Sequence, residues 1–198
     1  MCELLRDTRR LTFGNGARLV VDCHGVTHDP RWYETHAHAR MIVDYFERHG
    51  FTMVVPLLAD PWDGAAQAEA VIDEVAPCYL GKPLLTAQCV GALTALALLA
   101  RRPEAYLGAA LYNPCSDPMM MAERYTARLT SPPIDFAAIT APVAIWHGTE
   151  DRTVVPEQTR RLACLLPNLA VHWVRGGRHG TDPHAYIDGL DGFIASIM

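Results

Sequence analysis

The chain has 198 residues, half of them hydrophobic, and its 22 acidic against 17 basic residues leave a net charge of -5. That length is enough to bury the core of a single domain, and that charge offers no general attraction for nucleic acid or an acidic membrane surface. The first residues lack the basic-then-apolar layout of a signal peptide, and no apolar run reaches the roughly 18 residues of a membrane helix. A cytoplasmic protein is expected, with neither nucleic acid nor membrane as partner. The cysteines Cys2, Cys23, Cys78, Cys89, Cys115 and Cys164 fall without Cys-x-x-Cys spacing, which predicts reduced thiols rather than a disulfide framework or a zinc site.

In chain order, Arg10 to Phe13, Asn15-Gly16 and Arg18 to Cys23 predict a short strand, a hairpin turn and a buried strand. The polar loop His24-Gly25-Val26-Thr27-His28-Asp29-Pro30 precedes a helix expected over about Thr35 to Arg48, with Ala39, Ile42, Val43 and Phe46 on one face and Gly50 as its stop. Phe51 to Leu57 is a second buried strand. After the turn Asp60 to Gly64, with Asp63 as candidate cap, a helix runs to about Val75. Leu84 to Ala87 is the third buried strand and passes directly into an Ala/Leu-rich helix ending near Arg102-Pro103. Tyr106 to Tyr112, Val143 to His147 and Leu169 to Val174 are further strands, with helices over about Pro156 to Leu166 and Pro183 to Met198. Buried apolar strands alternating with helices predict an α/β fold, a mostly parallel sheet of about six or seven strands covered on both faces.

Where Leu84 to Ala87 breaks into its helix stands Ala87-Gln88-Cys89-Val90-Gly91, a small-x-nucleophile-x-small pattern close to the Gly-x-Ser-x-Gly nucleophile elbow. A nucleophile on so sharp a turn holds a strained backbone, and residues two positions to either side must be small. The turn also sets Cys89 at a helix N-terminus, where free N–H groups favour a thiolate. A buried Cys at an ordinary strand–helix junction is the alternative this stretch leaves open.

In a parallel sheet the site lies at the carboxyl ends of the strands. There the chain supplies Cys89, then Gly148-Thr149-Glu150-Asp151, then Gly176-Gly177-Arg178-His179-Gly180: a nucleophile, an acid and a histidine in that order. Pro142 to Asp151 with Val154-Val155-Pro156 resembles the acid-bearing segment of the α/β-hydrolase superfamily, 176–180 resembles its histidine loop, and Leu19 to Gly25 resembles the strand leading to its oxyanion loop. The resemblance runs from about residue 18 to the C-terminus. It implies an α/β-hydrolase fold and a triad of Cys89, His179 and Asp151, with Asp117, just after the fourth buried strand, as alternative acid. It also implies oxyanion donors on the backbone N–H groups of Val26 and Val90.

Cys in place of Ser suits acyl transfer, because the thioester formed on the enzyme is more reactive than an oxygen ester. Within the superfamily this is similar to dienelactone hydrolases, to thioesterases that offload carrier-bound chains, and to Dieckmann cyclases. The chain departs from the first in its elbow, Ala-Gln-Cys-Val-Gly-Ala, and from the others in having only Cys115 to Ala141 for a lid. The expected partner is a small acyl substrate, either free or tethered to a carrier protein, released by hydrolysis or cyclisation. An ester or lactone hydrolase is the competing enzyme, and a binding protein on a hydrolase scaffold the competing class. Gln88, Trp32, Met120 and Tyr125 are candidate substrate contacts. His24, His28, Asp29, His36 and His38 crowd together without a zinc signature, so neither metal nor cofactor is expected.

Overall fold

Seven short apolar and β-branched runs pair into one sheet: β1 (Arg10–Phe13), β2 (Arg18–Cys23), β3 (Phe51–Pro56), β4 (Leu84–Gln88), β5 (Gly108–Tyr112), β6 (Val143–Gly148) and β7 (Leu169–Val174). The computed structural model describes residues 9–25, 32–60, 62–121, 133–180 and 183–198. The strand order is β1-β3-β2-β4-β5-β6-β7. Every pair is parallel except β1 with β3. The chain steps from β2 to one side for β3 and to the other for β4. The crevice past the ends of β2 and β4 is thus the switch point where α/β sheets bind ligands.

Alternate residues of the central strands feed two cores. Leu19, Val21, Leu85, Leu111 and Ile145 pack under α3 (Ala65–Val75), α4 (Gly91–Arg101) and α5 (Glu157–Leu165). Val20, Met53, Leu84, Ala110 and Trp146 pack under α1 (Trp32–Thr35), α2 (Ala37–Arg48) and α6 (His184–Ile197). The period of two in strands whose residues are nearly all buried is what lets both faces carry helices. Every residue of α4 from Gly91 to Leu99 is buried, which explains its Ala/Leu composition. The segment 115–141 holds two short 3₁₀ turns, Pro118–Met120 and Phe136–Ala138, among its described residues.

Three local expectations are corrected. The Asn15-Gly16 turn closes no hairpin, because β1 pairs with β3 and lies at the sheet edge. A two-residue hairpin turn of the favoured type needs positive φ at both central residues, whereas here only Gly14 has it, at 79°. Gly16 serves a close approach instead: a Cβ there would lie 2.1 Å from the Gly50 carbonyl. Asp63 does not cap α3, whose N-cap is Gly64 without a side-chain bond. The helix expected from about Thr35 to Arg48 is α2, which starts at Ala37, and the unexpected short α1 is set off from it at His36, which has extended backbone angles (φ -85°, ψ 123°).

The elbow's demand for small flanking residues is met at Gly91, where a Cβ would fall 1.9 Å from the Cys23 carbonyl oxygen and 2.6 Å from that of His24. Both neighbours are backbone and have no side chain to move aside. Gly91→Ala is therefore expected to destabilise the protein by roughly 3 kcal/mol or more, read as a lowered midpoint of urea unfolding.

Candidate active site

β4 ends at Gln88, and the next residue, Cys89, holds φ at 56°, a region that non-glycine residues avoid. The strain is held by hydrogen bonds: the Cys89 N–H donates to Tyr112 O at 3.2 Å, and the Cys89 carbonyl accepts from Ala92 and Cys115. Cys89 is 6% exposed. Val90 comes next as the N-cap of α4, and its N–H has no backbone acceptor among the described residues. Gly25, after β2, comes within van der Waals contact of Cys89: a Cβ on it would be 3.4 Å from that of Cys89.

The acid and histidine arrive from β6 and β7. Gly148 lets their loops touch, since a Cβ there would lie 2.3 Å from Gly177 O, and the Glu150 N–H bonds to that same oxygen at 2.9 Å. Asn113, buried and with φ of 45°, accepts from the Gly148 N–H at 2.9 Å and ties the end of β5 to β6. Asp151 is then fixed on both oxygens. Oδ1 accepts from the N–H groups of Thr153 (2.8 Å) and Val154 (2.9 Å), and Oδ2 accepts from His179 Nδ1 at 2.7 Å. That leaves His179 Nε2 for Cys89, which lines the same cavity and is among the groups that raise the His179 pKa. Burial works to lower the His179 pKa, but the bond to Asp151 and the electrostatic influence of Cys89 outweigh it and raise the value to about 9.

His147, at the end of β6, is fully buried beneath the acid loop and was not singled out from sequence. Its Nδ1 accepts from Thr159 Oγ1 at 2.6 Å, its Nε2–H donates to Val154 O at 2.9 Å, and Nε2 lies 3.7 Å from Asp151 Oδ2. Burial lowers its pKa, so the ring braces the 151–154 turn as a neutral group. A strand-end His with a Thr one turn into the next helix was the available signal.

Asp117, the alternative acid, is engaged elsewhere. Its Oδ1 caps the Pro118–Met120 turn at Met119 N (3.0 Å), and its Oδ2 pairs with Arg161 at 2.6 Å. The N–H groups of Ser116 and Asp117 are held by Gln158 Oε1.

Beside Cys89 opens a cavity of about 290 Å³ lined by His24, Gly25, Trp32, Tyr33, His36, Gln88, Cys89, Thr153, His179 and Gly180. Trp32 and Gln88 are among its lining residues. Met120 does not line it: the turn capped by Asp117 buries Met121 instead, against Cys89, Cys115 and Val154. Val26, His28, Asp29 and Tyr125 lie outside the described residues. The ring nitrogens of His24 serve the loops, Nδ1 bonding Gly25 O and Nε2 accepting from the Leu58 N–H. Among the described residues no three His, Cys, Asp or Glu side chains converge to hold a metal, and no helix is long and apolar enough to cross a membrane.

Comparison of the sequence with family models and with curated proteins finds no match. Solved structures match it in shape. Est1E from Butyrivibrio proteoclasticus superposes with a TM-score of 0.77 at 14% identity, over 95% of this chain and 93% of its own. A monoacylglycerol lipase of Paleococcus ferrophilus gives 0.69 at 18% identity over 96% and 98%. Mouse alpha/beta hydrolase domain-containing protein 10 gives 0.74 at 13% over 96% and 94%. Identities this low speak to architecture alone, and together with the strand order and the turn at Cys89 they establish that this protein has the α/β-hydrolase fold.

Proposed function

We propose that the protein is an acyl-transferring hydrolase in which Cys89 is the nucleophile, His179 the general acid and base, and Asp151 the residue that orients and charges His179. The observation that carries this is the His179–Asp151 pair lining the same cavity as Cys89, which sits on a strained elbow. With the Cys89 proton on His179, Sγ attacks the carbonyl carbon of a thioester or ester, and the π electrons move to oxygen. The Val90 N–H, without a backbone acceptor among the described residues, is the donor next to that oxyanion, and Val26 N–H is the partner the superfamily resemblance implies. The intermediate collapses, the bond to the leaving sulfur or oxygen breaks, and the leaving atom takes the proton from His179 Nε2. Water, or a nucleophile within the acyl chain, returns a proton to His179 as it attacks the acyl carbon. The C–S bond breaks and the starting pair is restored.

The structural neighbours are described as lipases and esterases, which supports ester-type substrates and water as acceptor. An acyl chain carried on a partner protein, or closed by cyclisation, is the finer form of the proposal. The test is intact mass spectrometry of the protein after brief exposure to acyl thioesters and activated esters, beside Cys89→Ala. The expected result is an adduct of acyl mass on the wild type alone. Adducts on both proteins, or turnover without dependence on Cys89, would overturn the proposal.

A further inference from the structure

The lining of the cavity beside Cys89 contains the rings of Trp32, Tyr33 and His36 on one segment, besides the imidazoles of His24 and His179, and no aliphatic side chain of Val, Leu, Ile or Met among the described residues. The apolar side chains that do neighbour Cys89, namely Trp62, Leu93, Met121 and Val154, are closed against one another, each at most 7% exposed. The rings form an ordered wall. Trp32 stacks on His36 (centroids 5.2 Å apart, planes at 24°) and meets Tyr33 edge to face (5.0 Å, 88°).

The wall is tied to the sheet from below. The Tyr33 hydroxyl donates to Oδ2 of Asp22, whose Oδ1 accepts from Thr86 Oγ1 at 2.7 Å, and both side chains are buried in the strands under the site. With its hydroxyl committed to Asp22, Tyr33 offers the cavity a ring rather than a polar end. The polar groups left to the cavity include the Gln88 amide, which has no hydrogen-bond partner among the described residues, Thr153 and the His36 imidazole edge. A cavity of about 290 Å³ is at the small end for small-molecule sites, which run from roughly 300 to 1,000 Å³. Among the described residues a fatty chain would find neither the length nor the aliphatic surface it needs.

We propose that this pocket selects a short, flat, unsaturated acyl group, aryl or conjugated, that packs against the Trp32–Tyr33–His36 wall. The inference rests on the acyl-transfer reading of Cys89. Ring-on-ring packing discriminates a planar π system from a puckered ring of equal size by roughly three- to tenfold per contact.

The test uses benzoyl and cyclohexanecarbonyl thioesters of one small thiol, which match in heavy-atom count and differ in planarity. Each acylation rate at Cys89 is read by intact mass and divided by the rate of the same thioester with free 2-mercaptoethanol. The expected normalised ratio favours benzoyl by about tenfold, and both Trp32→Leu and His36→Leu bring it toward one. Adducts forming at equal normalised rates, or faster with cyclohexanecarbonyl, would overturn the inference and leave the acyl-transfer reading standing. An aromatic preference that tracks the leaving group across aryl and alkyl acetates, with none in the acyl series, would also overturn it. No adduct from any acyl donor would remove the acyl-transfer reading itself, and this inference with it.

Discussion

Cys89→Ala is expected to lower kcat/KM toward any acyl substrate by at least about a thousandfold, as removal of a nucleophile that acts within a triad does. The physical reason is local to one atom. A methyl group keeps the strained turn and the approach of Gly25 and Cys115, but it has no lone pair to attack a carbonyl and no proton to pass to His179. The substitution tests chemistry rather than folding, because Cys89 and Ala share the unfavourable φ of 56° and differ only by the sulfur. Thermal unfolding, measured in parallel, should shift by no more than about 2–4 °C, the equivalent of about 1 kcal/mol in a domain of this size. Retention of more than a tenth of the activity with an intact fold would remove Cys89 from the mechanism.

The second large effect is expected at Asp151. Asp151→Ala removes the acceptor of His179 Nδ1–H and leaves the ring free to turn and to adopt the wrong tautomer, a loss of about a thousand- to ten-thousandfold in kcat by analogy with triad acids in general. It also removes a main source of the raised His179 pKa, so the protonation midpoint should fall from about 9 toward 6.5, which NMR of the imidazole protons reads directly. Because His179 has a folded pKa above its unfolded value, the stabilisation it contributes is present in full below about 6.5 and is lost as pH rises through about 9. Asp117→Ala, by contrast, should change kcat less than about threefold and cost about 1 kcal/mol of stability, through loss of a cap and a partly exposed ion pair. The opposite pattern, with Asp117 essential and Asp151 dispensable, would transfer the acid role.

Much of the fold and the site was legible in the residues, because certain steric demands are local. A strand that breaks into a helix around a nucleophile needs small residues two positions away, so Ala87 and Gly91 mark the turn without any knowledge of the sheet. Parallel strands all end at one edge, so the residues just past each strand bring Cys89, Asp151 and His179 to one place before any distance is known.

Features that depend on which distant segments meet were not legible. Asn15-Gly16 carries a hairpin signal, yet β2, buried on nearly its whole length, takes parallel neighbours on both sides, and the half-exposed β1 is left the edge beside β3. Choosing between Asp151 and Asp117 needed the loops of β6 and β7 in contact at Gly148 and Gly177, and needed Arg161 and the Met119 N–H placed to claim Asp117. The aromatic wall is of the same kind. Trp32, Tyr33 and His36 become a surface because α1 folds over the end of the sheet, where the buried Asp22 carboxylate accepts the Tyr33 hydroxyl. The sequence by itself determined the class of fold, the elbow and the order in which Cys89, Asp151 and His179 reach the strand ends, since these arise from periodicity and from sterics within a few residues. Only the tertiary structure decided which acid faces the histidine and which side chains line the pocket, because both depend on contacts between segments far apart in the chain.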